Sequence, residues 1–457
     1  MNKSTTMIVA VAVVAIVVVA AVAVMFTGGN DSGDSDAAIA TQLQIKGNIN
    51  DDYTIDSKDM DLMNKILKGD LKKEDYPLAD TNNDGEIDEK DKELLQNIID
   101  RKEGTIVQVL CLDRFGEPTT VPCKYPIRDV VPFGTNMQTP TLLANGGKYV
   151  SGYFTSQYDV ADKSINPSAV DLKGKQRQIS DAAWKNFTSL DAKLPNGIGA
   201  FLVDFSGISQ ITHARQQNLD DAGIATIIYS SADAEEEITT VLTLGFLFGG
   251  DCEKMGVDYA QKSWNILDAI DKKVSNLSDP EKSSYIGFNM HIYICQNNST
   301  FNTSAETAGG IPYYKINDEF AQKYAGSSST KMTSTEALSN YTDVDSLINT
   351  RSMDWGLSEE AWKTLVIDTW AHDNNDTPTY EFFKGMEDKL FFVNNLLPGA
   401  VKVAYMAHAL YADQFSIEWA NEQLQEFIDL GTEPLKGQTI GSIVAYIDQD
   451  LYNSCLA

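Results

Sequence analysis

Two twelve-residue stretches near the start of the chain carry oxygen donors at matching intervals: Asn48, Asn50, Asp52, Thr54, Asp56 and Asp59, then Asp80, Asn82, Asp84, Glu86, Asp88 and Asp91. Side-chain oxygens fall at positions 1, 3, 5, 9 and 12 of each stretch, and position 7 (Thr54 or Glu86) offers its backbone carbonyl. This is how a hard cation collects roughly six to eight oxygens, and the spacing is that of a calcium loop. Ile55 and Ile87 share position 8, the residue that ties paired loops together.

The element that must follow each loop is written in the next residues. Leu62, Met63, Ile66 and Leu67 in one copy, and Leu94, Leu95, Ile98 and Ile99 in the other, form an i, i+1, i+4, i+5 stripe that predicts an exiting amphipathic helix. No entering helix precedes the first loop, and Asp, not Glu, closes both. In these respects residues 45–102 resemble the dockerin domain, a small all-α, calcium-bound tandem EF-hand module that docks onto cohesins. The resemblance implies a cohesin-bearing partner read by Ser57-Lys58 and Glu89-Lys90. Asn48 in place of Asp, and Tyr53 where the tight turn wants Gly, mark the first loop as the weaker binder.

Met7 to Phe26 is an apolar run long enough to cross a bilayer, with Lys3 before it and an acidic, glycine-rich stretch after it. We read residues 1–28 as a transmembrane anchor, a cleaved signal sequence being the competitor, with 29–44 as linker and the rest of the chain extracellular. External calcium would keep even weak loops filled. A formal charge of −29 argues against nucleic acid or an anionic membrane surface as partner. Five cysteines are too few for a disulfide scaffold, although Cys111 and Cys123 flank an apparent hairpin and could pair outside the cell.

The remaining 350 or so residues read as a large α/β region. Strand-like runs at 105–109, 119–121, 127–132, 149–153, 200–205 and 224–229 alternate with helical stretches at 142–147 and 208–222. From Ala234 to Leu277 the period becomes helical, with a break at Gly249-Gly250, and a second α/β set starts at Tyr285. The expected organisation is an α/β lobe at 105–232, a bridging helix at 233–278, a second α/β lobe at 279–432 and a tail at 433–457.

Within that order stand Asp113, Gly116 and Pro122, then Gly146 to Tyr153 (Gly-Gly-Lys-Tyr-Val-Ser-Gly-Tyr), Gly223 to Tyr229, Leu244 to Gly250 and Thr307-Ala308-Gly309-Gly310. Residues 105–432 thereby resemble the solute-binding proteins of ABC importers for iron–siderophore, haem and cobalamin. The resemblance implies two Rossmann-like lobes joined by a long helix, a metal chelate held between them, and delivery to a membrane permease without chemistry. Such a cleft would be lined by loops at the carboxyl ends of the strands. Asn136, Tyr158 and Phe205 from the first lobe, and His291, Tyr293, Arg351, Trp370 and His372 from the second, are the candidates: aromatics for a flat chelate or corrin, Arg351 for an anionic one, His291 and His372 for a metal or haem iron. His213 and His408 sit in helical stretches without partners at ligand spacing.

Enzyme signatures are missing: there is no Gly-x-Ser-x-Gly elbow, His-Glu-x-x-His, phosphate-binding glycine loop or Cys-x-x-Cys pair. Two rival readings remain, a dockerin-bearing glycan-degrading enzyme and a surface adhesin of a cohesin-organised complex.

Overall fold

The computed structural model describes residues 42–133, 135–155, 177–180, 194–205, 208, 211–230, 233–289, 292–295, 299–324, 329–332, 337–353, 355–371 and 379–456. In chain order the elements are α1 (Ser57–Lys68), α2 (Glu89–Ile99), β1 (Ile106–Leu112), β2 (Pro118–Lys124), β3 (Val130–Phe133), α3 (Thr135–Leu143), β4 (Gly152–Thr155), β5 (Arg177–Ser180), β6 (Ala200–Asp204), α4 (His213–Asp221), β7 (Ala225–Tyr229), α5 (Ala234–Phe248) and α6 (Asp251–Val274). They continue with β8 (Ser284–Asn289), β9 (Tyr293–Cys295), α7 (Thr300–Thr307), β10 (Ile311–Pro312), α8 (Asp318–Tyr324), β11 (Ser329–Lys331), β12 (Ser346–Arg351), α9 (Glu359–Ala371), β13 (Leu390–Asn394), α10 (Gly399–Leu410), α11 (Ile417–Leu430), β14 (Tyr446–Ile447) and α12 (Gln449–Leu456). Two compact units result: one holds the described chain up to Ile127 together with 211–228, the other the remainder.

In the first unit, each calcium-type loop runs directly into its helix. Asp56 accepts from Lys58 N and the Asp59 side chain returns to Asp56 N; Asp88, Lys90 and Asp91 repeat the arrangement. Loop positions 9 and 12 are thus also the helix capping box, which satisfies amides that would otherwise be orphaned at the helix start. Met63 and Ile66 of α1 and Leu95 and Ile98 of α2 are buried, the inner half of the predicted stripe. β1 pairs antiparallel with β2 along its whole length. Its other edge bridges Ile45 at Val109 and Ile228 of β7 at Leu112. Lys46 N donates to Gln108 O and Leu110 N to Gln44 O, so the module's first residues extend this sheet and the module is not a bead on a linker.

The β1–β2 register sets Cys123 opposite Val107 and Cys111 opposite Thr119. The two thiols therefore stand well apart along the hairpin, both are free and buried, and the expected pairing is corrected.

The second unit contains two strand arrays, one parallel and one mixed. In one, β6, β3, β4 and β5 lie side by side. In the other the order is β11-β9-β8-β12-β13-β14, with β8, β12 and β13 parallel, β9, β11 and β14 antiparallel to their neighbours, and β10 beside β8. Central strands such as β8 and β12 are buried almost throughout, as continuous Ser-Tyr-Ile-Gly-Phe and Ser-Leu-Ile-Asn-Thr runs must be when both faces are covered.

The helical span 234–277 is two helices broken at Gly249-Gly250, where φ is +72° and +58°. Residues 433–457 are more than a tail: they supply β14 to the sheet edge and α12, whose Tyr452 stacks on Trp370. The apolar run at 7–26 lies outside the described residues; among those described, no helix is long and apolar enough to cross a membrane.

Candidate ligand cleft and calcium loops

The carboxyl ends of β8, β12 and β13 line up on one edge of their sheet. Register pairs Thr350 with Asn289 and Arg351 with Asn394, so Asn289, Arg351 and Asn394 form a row. Tyr293 joins it, because β9 folds back to place Tyr293 opposite Asn289, with the Lys331 ammonium 6.0 Å from its ring. This is the position at which open parallel sheets present ligand sites.

Asn394 shapes the row from beneath. It is fully buried, its Nδ2 donates to Met353 O and Val444 O, both at 2.9 Å, and its Oδ1 accepts from Met353 N at 3.1 Å and Leu396 N at 3.0 Å. One side chain thereby fixes the loops after β12 and β13 and the approach to β14. Arg351 is half-buried, and burial pulls its guanidinium down to about 10, with Asp368 opposing. It remains charged at neutral pH while already stripped of part of its water, which strengthens its hold on an incoming carboxylate or phosphate-like oxygen.

The other sequence candidates fall in different places. Phe205 is half-buried just past β6, and Asn136 lies in the first turn of α3. Trp370 is only 2% exposed, stacks on Tyr452 at 5.2 Å and lies against Phe392, so its ring is committed to the core. Tyr158, His291 and His372 lie outside the described residues. His408 bonds Phe415 O through Nδ1 at 2.8 Å and packs on Tyr446, a structural role; His213 opens α4. Asn394 was not among the candidates, and its signal was present: an amide ending the apolar run Leu-Phe-Phe-Val.

The two calcium-type loops share a backbone feature and differ in another. Position 4 is left-handed in both, Asp51 at φ +56° and Asn83 at +61°. Position 6 is left-handed only in the second, Gly85 at +89°; Tyr53 does not adopt that conformation. A side chain with a Cβ resists it, so the first loop is turned differently where the ion's ligands must converge. Asp59 and Asp91, at position 12, are fully buried. Asp59 Oδ1 accepts from Ile49 N and Asn50 N and its Oδ2 from Asp56 N; Asp91 accepts from Asn82 N and Asp88 N. Burial pushes Asp59 up to about 6 and Asp91 in the same direction, these amides opposing.

At position 1 of the second loop, Asp80 Oδ2 is 2.9 Å from the buried ammonium of Lys46. The position 8 carbonyls take cationic donors, Ile55 O from Arg101 Nη1 at 3.1 Å and Ile87 O from Lys73 Nζ at 2.5 Å. The donor set is all-oxygen, the kind a hard cation takes, and the second loop makes the left-handed turn at position 6. As the side chains stand, no group of three or more His, Cys, Asp or Glu gathers at metal-ligand spacing among the described residues.

No protein-family model and no curated protein matches the chain. Among solved structures, a TroA-like periplasmic binding protein, FepB, from Veillonella parvula is similar at a TM-score of 0.56 and 17% identity, over 74% of this chain and 99% of that one. An ABC transporter solute-binding protein from Sulfurospirillum deleyianum gives 0.48 at 12% identity, over 71% and 94%. The molybdate-bound periplasmic protein MolA of Haemophilus influenzae gives 0.49 at 9%, over 70% and 97%. The first of these carries the conclusion: the α/β region has the fold of a TroA-like binding protein.

Proposed function

We propose that this chain is an extracellular solute-binding receptor that captures a metal chelate of the iron–siderophore, haem or corrinoid type and hands it to an ABC permease. The observation that carries the reading is the row Asn289, Tyr293, Arg351 and Asn394 at the carboxyl edge of a parallel sheet, in a chain whose fold is that of a TroA-like binding protein. A preshaped loop set, one partly desolvated guanidinium and a tyrosine suit an anionic, flat ligand, and none of these groups is arranged as a nucleophile with its base. Binding, not turnover, is its work.

The calcium loops belong to the same proposal as a stiffener. Calcium in the loop Asp80 to Asp91, and more weakly in Asn48 to Asp59, would hold the module that is stitched to β1. A membrane anchor before residue 28 and a cohesin-type partner at Ser57-Lys58 and Glu89-Lys90 complete the reading. The test is a ligand panel in thermal melts. Ferric chelates, haem and cobalamin are set beside free metal ions and polysaccharides, and a ligand at about a hundred times its Kd raises stability by about 2.7 kcal/mol. A shift with chelates alone supports the receptor; polysaccharide turnover, or a shift only on adding a cohesin, overturns it in favour of the enzyme or the adhesin.

A further inference from the structure

We propose that Glu237 and Lys402 are positioning residues for the strand end that carries Arg351: the Glu237 carboxylate seats the first turn of α10 on α5, and the Lys402 ammonium, through Asn395, steadies the end of β12. The proposal takes its purpose from the receptor reading and its geometry from the packing alone.

Glu237 lies half-buried on α5. Oε1 accepts from the Tyr259 hydroxyl of α6 and, at 2.6 Å, from Gly399 N, the first residue of α10. Position 399 must be glycine for this approach, since a Cβ there would stand 2.8 Å from Ala234 Cα. A carboxylate on an amide of the opening turn also meets the positive end of α10's dipole. Nearly one turn further along α10, the Lys402 ammonium donates to Asn395 Oδ1 at 3.3 Å. Asn395 N in turn donates to Arg351 O at 2.8 Å. The chain of contacts therefore runs from the paired helices to the residue at the centre of the candidate row.

Asp233, which caps α5 by accepting from Glu236 N, adds to the field that attracts Lys402. Glu236 is turned aside to Ser230 Oγ at 2.6 Å, and α6 contributes the neutral Tyr259 hydroxyl. Burial pushes the Glu237 carboxyl up, opposed first by the Tyr259 and Gly399 hydrogen bonds and least by Lys402, and pushes the Lys402 ammonium down, opposed by Glu237 and Asp233. Half-buried opposite charges on neighbouring helices add little net stability compared with apolar groups of the same shape, yet removing one leaves the other less compensated. What Lys402 supplies here is direction: an ammonium aimed at one amide oxygen, in a place where leucine would fill the volume without aiming at anything.

The test uses the full chain and four variants: K402M, K402R, the E237Q/K402M pair and N395A. Amide exchange at Asn395 reports the bond to Arg351 O, and the melting temperature reports the fold. Expected is about tenfold faster exchange at Asn395 in K402M and N395A, near-native exchange in K402R, and a double variant whose melt recovers while exchange at Asn395 stays fast. N395A leaves Glu237 and Lys402 in place, so it reads the link even where K402M folds poorly. Exchange at residue 395 that is unchanged in N395A, or that only tracks the melt across the series, overturns the proposal. Should exchange behave as expected while no chelate binds the native chain, the receptor reading fails and the positioning role stands.

Discussion

Asn145 and Glu433 hold each other across 288 residues of sequence: Asn145 Oδ1 accepts from Glu433 N at 2.7 Å, and the Glu433 carboxylate accepts from Gly147 N at 3.2 Å, two residues beyond Asn145. Asn145 O also accepts from the Cys252 thiol at the start of α6. Three segments, after α3, at the start of α6 and after α11, thus meet at one asparagine whose φ of +56° suits few other side chains. Glu433→Ala is expected to cost about 1–3 kcal/mol, since it strips a carboxylate from a backbone amide, and Asn145→Ala more, because it adds backbone strain. Chemical denaturation of both variants checks this; a neutral Glu433→Ala would show that the contact adds nothing to the fold.

The bridging span is two helices, α5 and α6, whose close packing is set by glycines. A Cβ on Gly245 would stand 2.6 Å from Cys252 O, and one on Gly256 would stand 3.1 Å from Val241 O and 3.2 Å from Leu242 Cα. Alanine gains up to about 1 kcal/mol of helix propensity over glycine, whereas overpacking against backbone costs about 1–3 kcal/mol. Gly245→Ala is expected to destabilise clearly and Gly256→Ala less, in the order of those distances. Thermal melts in which both are more stable than the native chain would refute the close packing of α5 on α6.

Much of the architecture was legible because it rests on local signals. Gly249-Gly250 announced the helix break, Gly223 the end of α4, and the Asp113 to Pro118 turn the first hairpin. What was not legible depends on partners far away in sequence. Trp370 reads as a cleft aromatic until Tyr452 of the supposed tail is stacked on it, and Cys111 and Cys123 read as a pair until the register separates them. Arg351 and Tyr293 were found from strand-end logic, but Asn394, which fixes the loop after Arg351, is chosen by four hydrogen bonds to Met353, Val444 and Leu396 that no period reveals.

Asp59 predicts a pH dependence of the metal-free module. Burial raises it from the ordinary 3.8 to about 6, so the folded state holds its proton more tightly than the unfolded chain does. The resulting stability is fully present below about 3.8 and is lost as pH rises through about 6. In chelator, the native protein is expected to lose stability relative to Asp59→Asn between pH 4 and 7, and millimolar calcium, which needs the carboxylate, is expected to reverse the slope. Parallel melting curves for the two proteins across that window would remove Asp59 from the account.

Arg351 is expected to set the affinity for an anionic chelate. Its backbone carbonyl is held by Asn395 and its guanidinium is half-buried at the row of strand ends, so Arg351→Ala should leave the melt within about 1 kcal/mol of native. Losing a charge-assisted bond from a partly desolvated donor should weaken binding by about 10- to 100-fold, or roughly 1.5–3 kcal/mol. Arg351→Lys keeps the charge without the planar fork and should recover only part of it. Titration of whichever chelate shifts the native melt decides the matter: unchanged affinity in Arg351→Ala would move the ligand away from this row.

Lys46 makes the calcium expectation specific. Its ammonium neutralises Asp80 at position 1 of the better-formed loop, so a divalent cation entering there meets a competing positive charge only a few ångströms away. Removing that charge in Lys46→Met should raise calcium affinity at the second loop by about tenfold, a gain of about 1.4 kcal/mol that shrinks with added salt where solvent reaches the site. Tyr53→Gly should act on the other loop, by allowing the left-handed turn that Gly85 already makes in the second. Calorimetric titration separates the two, because the native chain should show one stronger and one weaker event, with Lys46→Met tightening the first and Tyr53→Gly the second. If Lys46→Met binds calcium no better than native, the ammonium does not share the ion's place; if neither variant nor the native chain binds calcium at millimolar concentration, the loops are held by their own amides and lysines alone.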